Sequence, residues 1–208
     1  LNISYSILTH NETDGLEDLL EFLGANKKEQ DEIVVLDDYS RDETLGILTE
    51  YKEKYGVIWE QRALNKNFAD QKNYLNSLCS SDFIFNLDAD ERPPKFLFEN
   101  LHVFLEQNLD VDAYWIPRIN TVKDITDSHI KKWGWNVNDE KWINWPDWQL
   151  RIYRNVEWIK WIKPVHETVI GFKNFSHFPE DERFAIRHHK IIENQEKQND
   201  FYRDIIHG

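Results

Sequence analysis

Short β-prone runs alternate with helical patterns through the first half of this chain, and that alternation restricts the fold more than any other feature. Ile3-Ser-Tyr-Ser-Ile-Leu8, Glu32-Ile-Val-Val-Leu36, Val57-Ile-Trp59 and Phe83-Ile-Phe-Asn-Leu87 read as strands. Between the first two, Leu16, Leu19, Leu20 and Leu23 fall at i, i+3, i+4, i+7 spacing, with Thr13 as cap and Gly24 as stop. Further helices are expected from Asp42 to about Tyr55, from about Phe68 to Leu78, and from Pro94 to about Gln107. Strands that alternate with helices build a largely parallel sheet covered by those helices, so the predicted class is α/β.

After Asp110 the character changes. Asp112-Ala-Tyr-Trp-Ile-Pro-Arg-Ile119 reads as a strand, and a tryptophan-dense region follows. Trp133, Trp135, Trp142, Trp145, Trp148, Trp158 and Trp161 are seven of the chain's nine tryptophans. Most are expected in a small irregular core, with Trp145 or Trp148 left to border a ligand. Glu167 to Phe172 and Phe184 to Ile186 suggest short strands, and Ile191 to Ile206 a closing helix. No repeat or low-complexity linker divides the chain. The expected organisation is one domain over 1–208, with lobes at 1–110 and 111–208.

Bulk composition excludes some functions. Forty per cent hydrophobic content argues for a globular protein. A formal charge of −13 argues against nucleic-acid binding, which needs a basic surface, and against broad adhesion to anionic lipid. The single cysteine, Cys79, permits no intrachain disulfide and is expected to pack on the buried face of a helix. No apolar run approaches a membrane span. The chain begins at Leu1 and contains no Met, so it is expected to be a piece of a longer protein. The expected location is cytoplasmic, with peripheral membrane contact left open.

In a parallel sheet, successive strands end at the same edge, and ligands bind there. Three such ends here are polar: Thr9-His10-Asn11-Glu12, Asp37-Asp38-Tyr39-Ser40-Arg41-Asp42, and Asp88-Ala-Asp90. Helix capping accounts for Thr13 and Asp42. It does not account for consecutive acids at Asp37 and Asp38 together with the Asp88/Asp90 pair, and the convergence favours a ligand site. Two carboxylates one residue apart suit Mg²⁺ or Mn²⁺, which prefer hard oxygen ligands and would hold a nucleotide diphosphate.

These motifs carry a resemblance. Ile33-Val-Val-Leu-Asp-Asp-Tyr-Ser-Arg-Asp-Glu-Thr44 is similar to the "DDxSxDxT" signature of family 2 glycosyltransferases, which have the GT-A fold. Asn67-Phe-Ala-Asp-Gln-Lys-Asn73 and Leu87-Asp-Ala-Asp-Glu91 resemble the subgroup that includes lipopolysaccharide-core glucosyltransferases. Pro146-Asp-Trp-Gln-Leu-Arg-Ile-Tyr-Arg154 and Val165-His-Glu167 extend the match, so that it covers about residues 3 to 190. The resemblance implies a GT-A sheet with a smaller tryptophan-rich acceptor lobe. It implies an inverting, metal-dependent transfer from a nucleotide-sugar donor, UDP-hexose being the first choice, to a glycan or glycolipid acceptor.

The resemblance also assigns roles. Thr9, Asn11 and Glu12 would line the base and ribose pocket, and Asp38 would bind the nucleobase. Lys72, where the family often has Arg, would approach the pyrophosphate or base, while Asn73 would fix its helix. Asp88 would contact ribose and Mn²⁺ or Mg²⁺, and Asp90 would ligate the metal directly. A late histidine, His188 before His189 or His166, would join it. Asp147 is the first candidate for the base and Glu167 the second. Arg151 and Arg154 would bind pyrophosphate or form surface ion pairs. Two competing readings are an inactive carbohydrate-binding or scaffolding protein and a sugar nucleotidyltransferase. The latter usually wants a glycine-rich, arginine-containing loop after the first strand, and 9–15 has one Gly and no Arg.

Overall fold

The chain begins with the expected alternation: β1 (Ile3–Thr9), α1 (Asp14–Asn26), β2 (Glu32–Asp37), α2 (Asp42–Tyr55), β3 (Ile58–Gln61), α3 (Phe68–Ser77) and β4 (Phe83–Asp88). It continues through β5 (Glu91–Arg92), α4 (Lys95–Glu106), β6 (Ala113–Lys123), α5 (Asp127–Trp133) and β7 (Ile143–Arg154). Then come β8 (Lys160–Ile162), β9 (Thr168–Ile170), β10 (Phe175–His177), β11 (Ile186–Ile191) and α6 (Ile192–His207). This is a computed structural model. It describes residues 1–207, and within 191–207 the side chains at 192, 196, 197, 200–203, 205 and 206.

Nine strands form the main sheet, in the order β3-β2-β1-β4-β7-β6-β11-β5 with β10 on β6. The first four are parallel, as the alternation requires. β7 then enters antiparallel between β4 and β6, and β11 lies parallel to β6. β8 and β9 make a separate two-stranded sheet. The α/β expectation therefore holds, with a mixed second half.

Leucines at the predicted helical spacing explain the α1 packing: Leu16, Leu19, Leu20 and Leu23 are all buried against the sheet. Gly24 does not stop that helix, which runs on to Asn26. A Cβ at Gly24 would stand 2.1 Å from the Tyr55 ring, so glycine is there to let α1 lie against α2. Gly56 does end α2, in the left-handed conformation at φ 71°. Cys79 is buried just beyond α3, and burial pushes its thiol up to about 12, which fits packing rather than reactivity.

β7 is the main element the sequence pattern concealed. Leu150, Arg151, Ile152 and Tyr153 are buried in succession because both faces of the sheet are covered there, which erases the two-residue alternation. Of the seven clustered tryptophans, only Trp161 is fully buried and Trp158 is 64% exposed. The others form partly buried ring pairs, such as Trp133–Trp135 and Trp142–Trp145, instead of a core.

Candidate active site

Sheet register brings the polar strand ends level. Thr9 pairs with Asp37 across β1 and β2, and Leu8 pairs with Asp88 across β1 and β4. Above this edge opens a cavity of about 980 Å³. Thr9, Glu12, Asp38, Lys72, Asp88, Asp90, Asp147, Glu167 and His188 all line it. One predicted residue does not. The Asn11 side chain accepts from the Arg41 N–H at 2.9 Å and lies 2.9 Å from His10 Nε2, tying two loops together.

The paired acids at the end of β2 have different jobs. Asp37 is fully buried and shapes its loop, accepting from the Ser40 N–H at 2.9 Å, the Ser40 hydroxyl, and Gln61 Nε2 at 2.9 Å. Asp38 faces the cavity, and its carboxylate accepts from the Leu64 N–H at 2.9 Å. Thr9 Oγ1 is buried on the cavity wall without a hydrogen-bond partner in the protein. Glu12 lies half-buried near Asp90. Burial first, then the Asp90 charge, raises its pKa.

At the end of β4 the two acids also diverge. Asp88 accepts from Arg151 Nη2 at 2.6 Å, and Arg118 Nη1 stands 4.0 Å away. Burial opposes its ionisation, but Arg151, Lys72 and Arg118 outweigh burial and hold the carboxyl well below the usual range. Asp90 Oδ2 instead faces His188 Nε2 at 3.2 Å. Burial would raise Asp90 as well, and the His188 contact more than offsets it.

The proton on His188 can be placed by following its neighbours. Asp147 accepts from Asn120 Nδ2 at 2.7 Å, so the Asn120 amide nitrogen faces Asp147. Asn120 Oδ1 then points to His188 Nδ1 at 2.9 Å, and that nitrogen must donate. A neutral His188 thus turns its Nε2 lone pair toward Asp90. Two lone pairs facing one another at this distance suit a shared cation, or a proton on Nε2. Imidazole nitrogen and carboxylate are apt donors for Mn²⁺, and the Asn120 contact is the outer-shell bond that such a histidine needs. Among the described residues, no three His, Cys, Asp or Glu side chains converge as a metal cage. Asp90 and His188 would therefore need ligand oxygens to complete a six-coordinate ion, as Mg²⁺ and Mn²⁺ sites at diphosphates do.

The two candidate bases differ in commitment. Asp147 accepts from Arg118 Nε at 2.8 Å, Asn120 at 2.7 Å and Gln149 Nε2 at 2.8 Å. Burial works against its charge, yet Arg118 and these donors hold its pKa below the usual carboxylate value. Glu167 makes one ion pair, Oε1 to Lys72 Nζ at 2.7 Å. Lys72 is itself buried, with its ammonium 4.2 Å from the centre of the Trp161 ring. Asn73 exchanges two 2.9 Å hydrogen bonds with the Trp161 backbone and so fixes α3 against β8.

Other expected residues separate on position. Arg151 is 4% exposed and lines the cavity, whereas Arg154 lies outside it, paired with Asp112 at 3.4 Å. His166 lines the cavity beside Tyr202, while His189 does not line it and pairs with Thr121. Trp115, Trp135, Trp148 and Trp161 reach the cavity; Trp145 does not. Sequence reasoning missed Arg118, Asn120 and Glu91. The only signals were a lone arginine inside an apolar strand and a third acid closing the Asp88–Glu91 run.

Comparisons with known proteins bear on the family and the fold. The model for "Glycosyl transferase family 2" matches residues 4–178. A poly-beta-1,6-N-acetyl-D-glucosamine synthase of Staphylococcus aureus is 30% identical over 102 residues, 47% of this chain and 25% of the relative. An undecaprenyl-phosphate 4-deoxy-4-formamido-L-arabinose transferase of Pseudomonas savastanoi is 28% identical over 149 residues, 69% of this chain and 39% of the relative. The chain thus spans well under half the length of these curated relatives. Among solved structures, S. aureus TarS 1–349 in complex with UDP-GlcNAc superposes with TM-score 0.67 at 17% identity, over 91% of this chain and 59% of that one. The likeness establishes the GT-A type of sheet.

Proposed function

The chain belongs to glycosyltransferase family 2, and from that premise we propose that it moves a sugar from a nucleotide diphosphate to a glycan or glycolipid hydroxyl with inversion. UDP-hexose is the proposed donor; that the similarly folded TarS was solved with UDP-GlcNAc supports a UDP-sugar as the first choice. One observation carries the reading. Asp38, Asp90 with His188, and two anchored carboxylates, all from different elements, share a single cavity at the sheet edge.

In the proposed mechanism the nucleoside lies over β1 and β2. Thr9 Oγ1 and Asp38 meet the base and ribose, and Lys72 stands on the diphosphate side. Asp90 and His188 would hold Mn²⁺ or Mg²⁺, whose positive charge stabilises the departing diphosphate. A carboxylate must accept the hydroxyl proton as the acceptor attacks the opposite face of the sugar. Although motif position favours Asp147, the geometry supports Glu167. Asp147 is saturated by Arg118, Asn120 and Gln149, and a carboxylate so depressed is a weak proton acceptor. Among the described residues Glu167 has a single ion-pair partner, Lys72, which aims its carboxylate and leaves the other oxygen uncommitted. Asp147 would then orient Asn120, and through it His188.

A donor panel of UDP-, GDP- and dTDP-sugars with Mn²⁺ tests this. Cation-dependent release of one nucleotide, lost in Asp90→Ala, is the expected result. A folded protein that neither binds nor turns over any of the three would overturn it.

A further inference from the structure

We propose that Glu91 is a positioning residue of the donor site, acting through Arg151 and Asp88 without touching substrate. The inference rests on the transferase reading above.

Glu91 is fully buried and does not line the cavity, although Asp88, Ala89 and Asp90 beside it do. Its Oε2 accepts the Asp88 backbone N–H at 3.1 Å. Its Oε1 accepts from Arg118 Nη1 at 2.9 Å and from Arg151 Nη2 at 2.5 Å. That same Arg151 nitrogen donates to Asp88 Oδ2. One buried carboxylate thus fixes Asp88 twice, by its backbone and by the guanidinium that grips its side chain.

Arg118 carries the connection onward to Asp147, at 2.7 Å from its Nη2. Backbone pairing adds a third link, because Glu91 sits opposite His188 where β5 meets β11. Asp88, Asp147 and His188 are thereby all referred to this residue. Arg151 is itself buried with its Nε unpartnered; Glu91 and Asp88 grip its Nη2, while Nη1 donates to Asn86 Oδ1 at 3.4 Å.

Burying a carboxylate among two guanidiniums is costly, and apolar residues of equal volume often serve stability as well. The arrangement makes sense as a way of fixing geometry and charge. Glu91, Asp88 and Asp147 set three negative charges against two guanidiniums, so the two arginines offset most of the negative charge that these carboxylates alone would turn toward an anionic diphosphate.

Isothermal titration of UDP with Mn²⁺, in wild type, Glu91→Gln, Asp88→Asn and the double variant, tests the proposal. Glu91→Gln keeps the size and the acceptor for the Asp88 N–H while removing the charge. It should weaken UDP binding about tenfold, with unchanged far-ultraviolet circular dichroism. In the Asp88→Asn background the same change should add little, because the effect passes through Asp88. Should Glu91→Gln fail to fold, Arg151→Lys, which keeps the charge but loses the fork, should give the same weakening. Wild-type affinity in a folded Glu91→Gln, or additive losses in the double variant, would overturn the inference alone. Wild type that binds none of UDP, GDP or dTDP would instead overturn the transferase reading, and this inference with it.

Discussion

The two halves of the molecule build their shares of the cavity in different ways. In the parallel half, each functional group follows directly from the strand that presents it. Thr9 ends β1, Asp38 follows β2 and Asp88 ends β4, and the parallel register of those strands brings them level. In the antiparallel half, the groups meet across long separations: Arg151 and Asp88 are 63 residues apart, Lys72 and Glu167 are 95, and Asp90 and His188 are 98. The first half works as a set of local motifs laid side by side. The second works as a frame of registered strands whose ion pairs are correct only if the register is. Damage to the first should remove one contact at a time, whereas damage to the second should propagate.

Removing a group that both halves share should have the largest effect. Asp90→Ala is expected to lower cation-dependent turnover on the order of 10³-fold while the protein stays folded, read by initial rates against Mn²⁺ concentration. Next, Glu167→Gln should cut kcat about 10²-fold with little change in donor KM. Asp147→Asn should weaken the dependence on Mn²⁺ more than the rate at saturating Mn²⁺. The opposite pattern would return the role of base to Asp147.

Within the parallel half, Asp38→Ala should raise the donor KM about tenfold and leave kcat near wild type. If it disturbed kcat and cation dependence as well, the local character of that half would be lost. Gly24→Ala drives a methyl group into the Tyr55 ring and should cost about 1–3 kcal/mol in chemical denaturation without altering kinetics. Trp158→Ala, at an exposed position, should stay within about 0.5 kcal/mol of wild type.

Acid should test the ion pairs that join the two halves. Asp88 and Asp147 are held below the ordinary carboxylate value by Arg151 and Arg118, so their folded-state pKa values are depressed. Their contribution to stability is present above the unfolded value near pH 4 and is lost as pH falls through the folded values. Asp147→Asn should flatten the loss of stability below about pH 4, read by chemical denaturation across that range.

How much of this could be read in advance follows the same division. α2 begins at Asp42 and ends at Tyr55, and β1, β2 and β4 lie where their apolar runs stand, because each pattern is local. β7 escaped because burial on both faces removes the alternation that marks a half-exposed strand. β5, only two residues long, has no pattern to find. The strand-end residues were legible as types, but their duties were not. Nothing in Asp37-Asp38 says that the first braces a loop while the second faces the cavity; Ser40 and Gln61 decide it. Arg118, Asn120 and Glu91 were invisible for a related reason. Apart from the Asp88 N–H that Glu91 accepts, their partners lie 27 or more residues away and are brought near by strand pairing.

The 98-residue span between Asp90 and His188 also orders events in time. A ribosome delivers the parallel half first, with its acids in place but Arg118, Arg151 and His188 still unsynthesised. The nascent sheet edge is then a concentration of negative charge without its buried guanidiniums, and it stays so until β7 has paired with β4 and with β6. The last contributor, β11, brings His188 in after some nine-tenths of the described residues have been made. Competence to hold a donor would therefore be acquired late and abruptly, with the docking of that strand, and a chain stalled before β11 would carry the family's signature motifs without a working site.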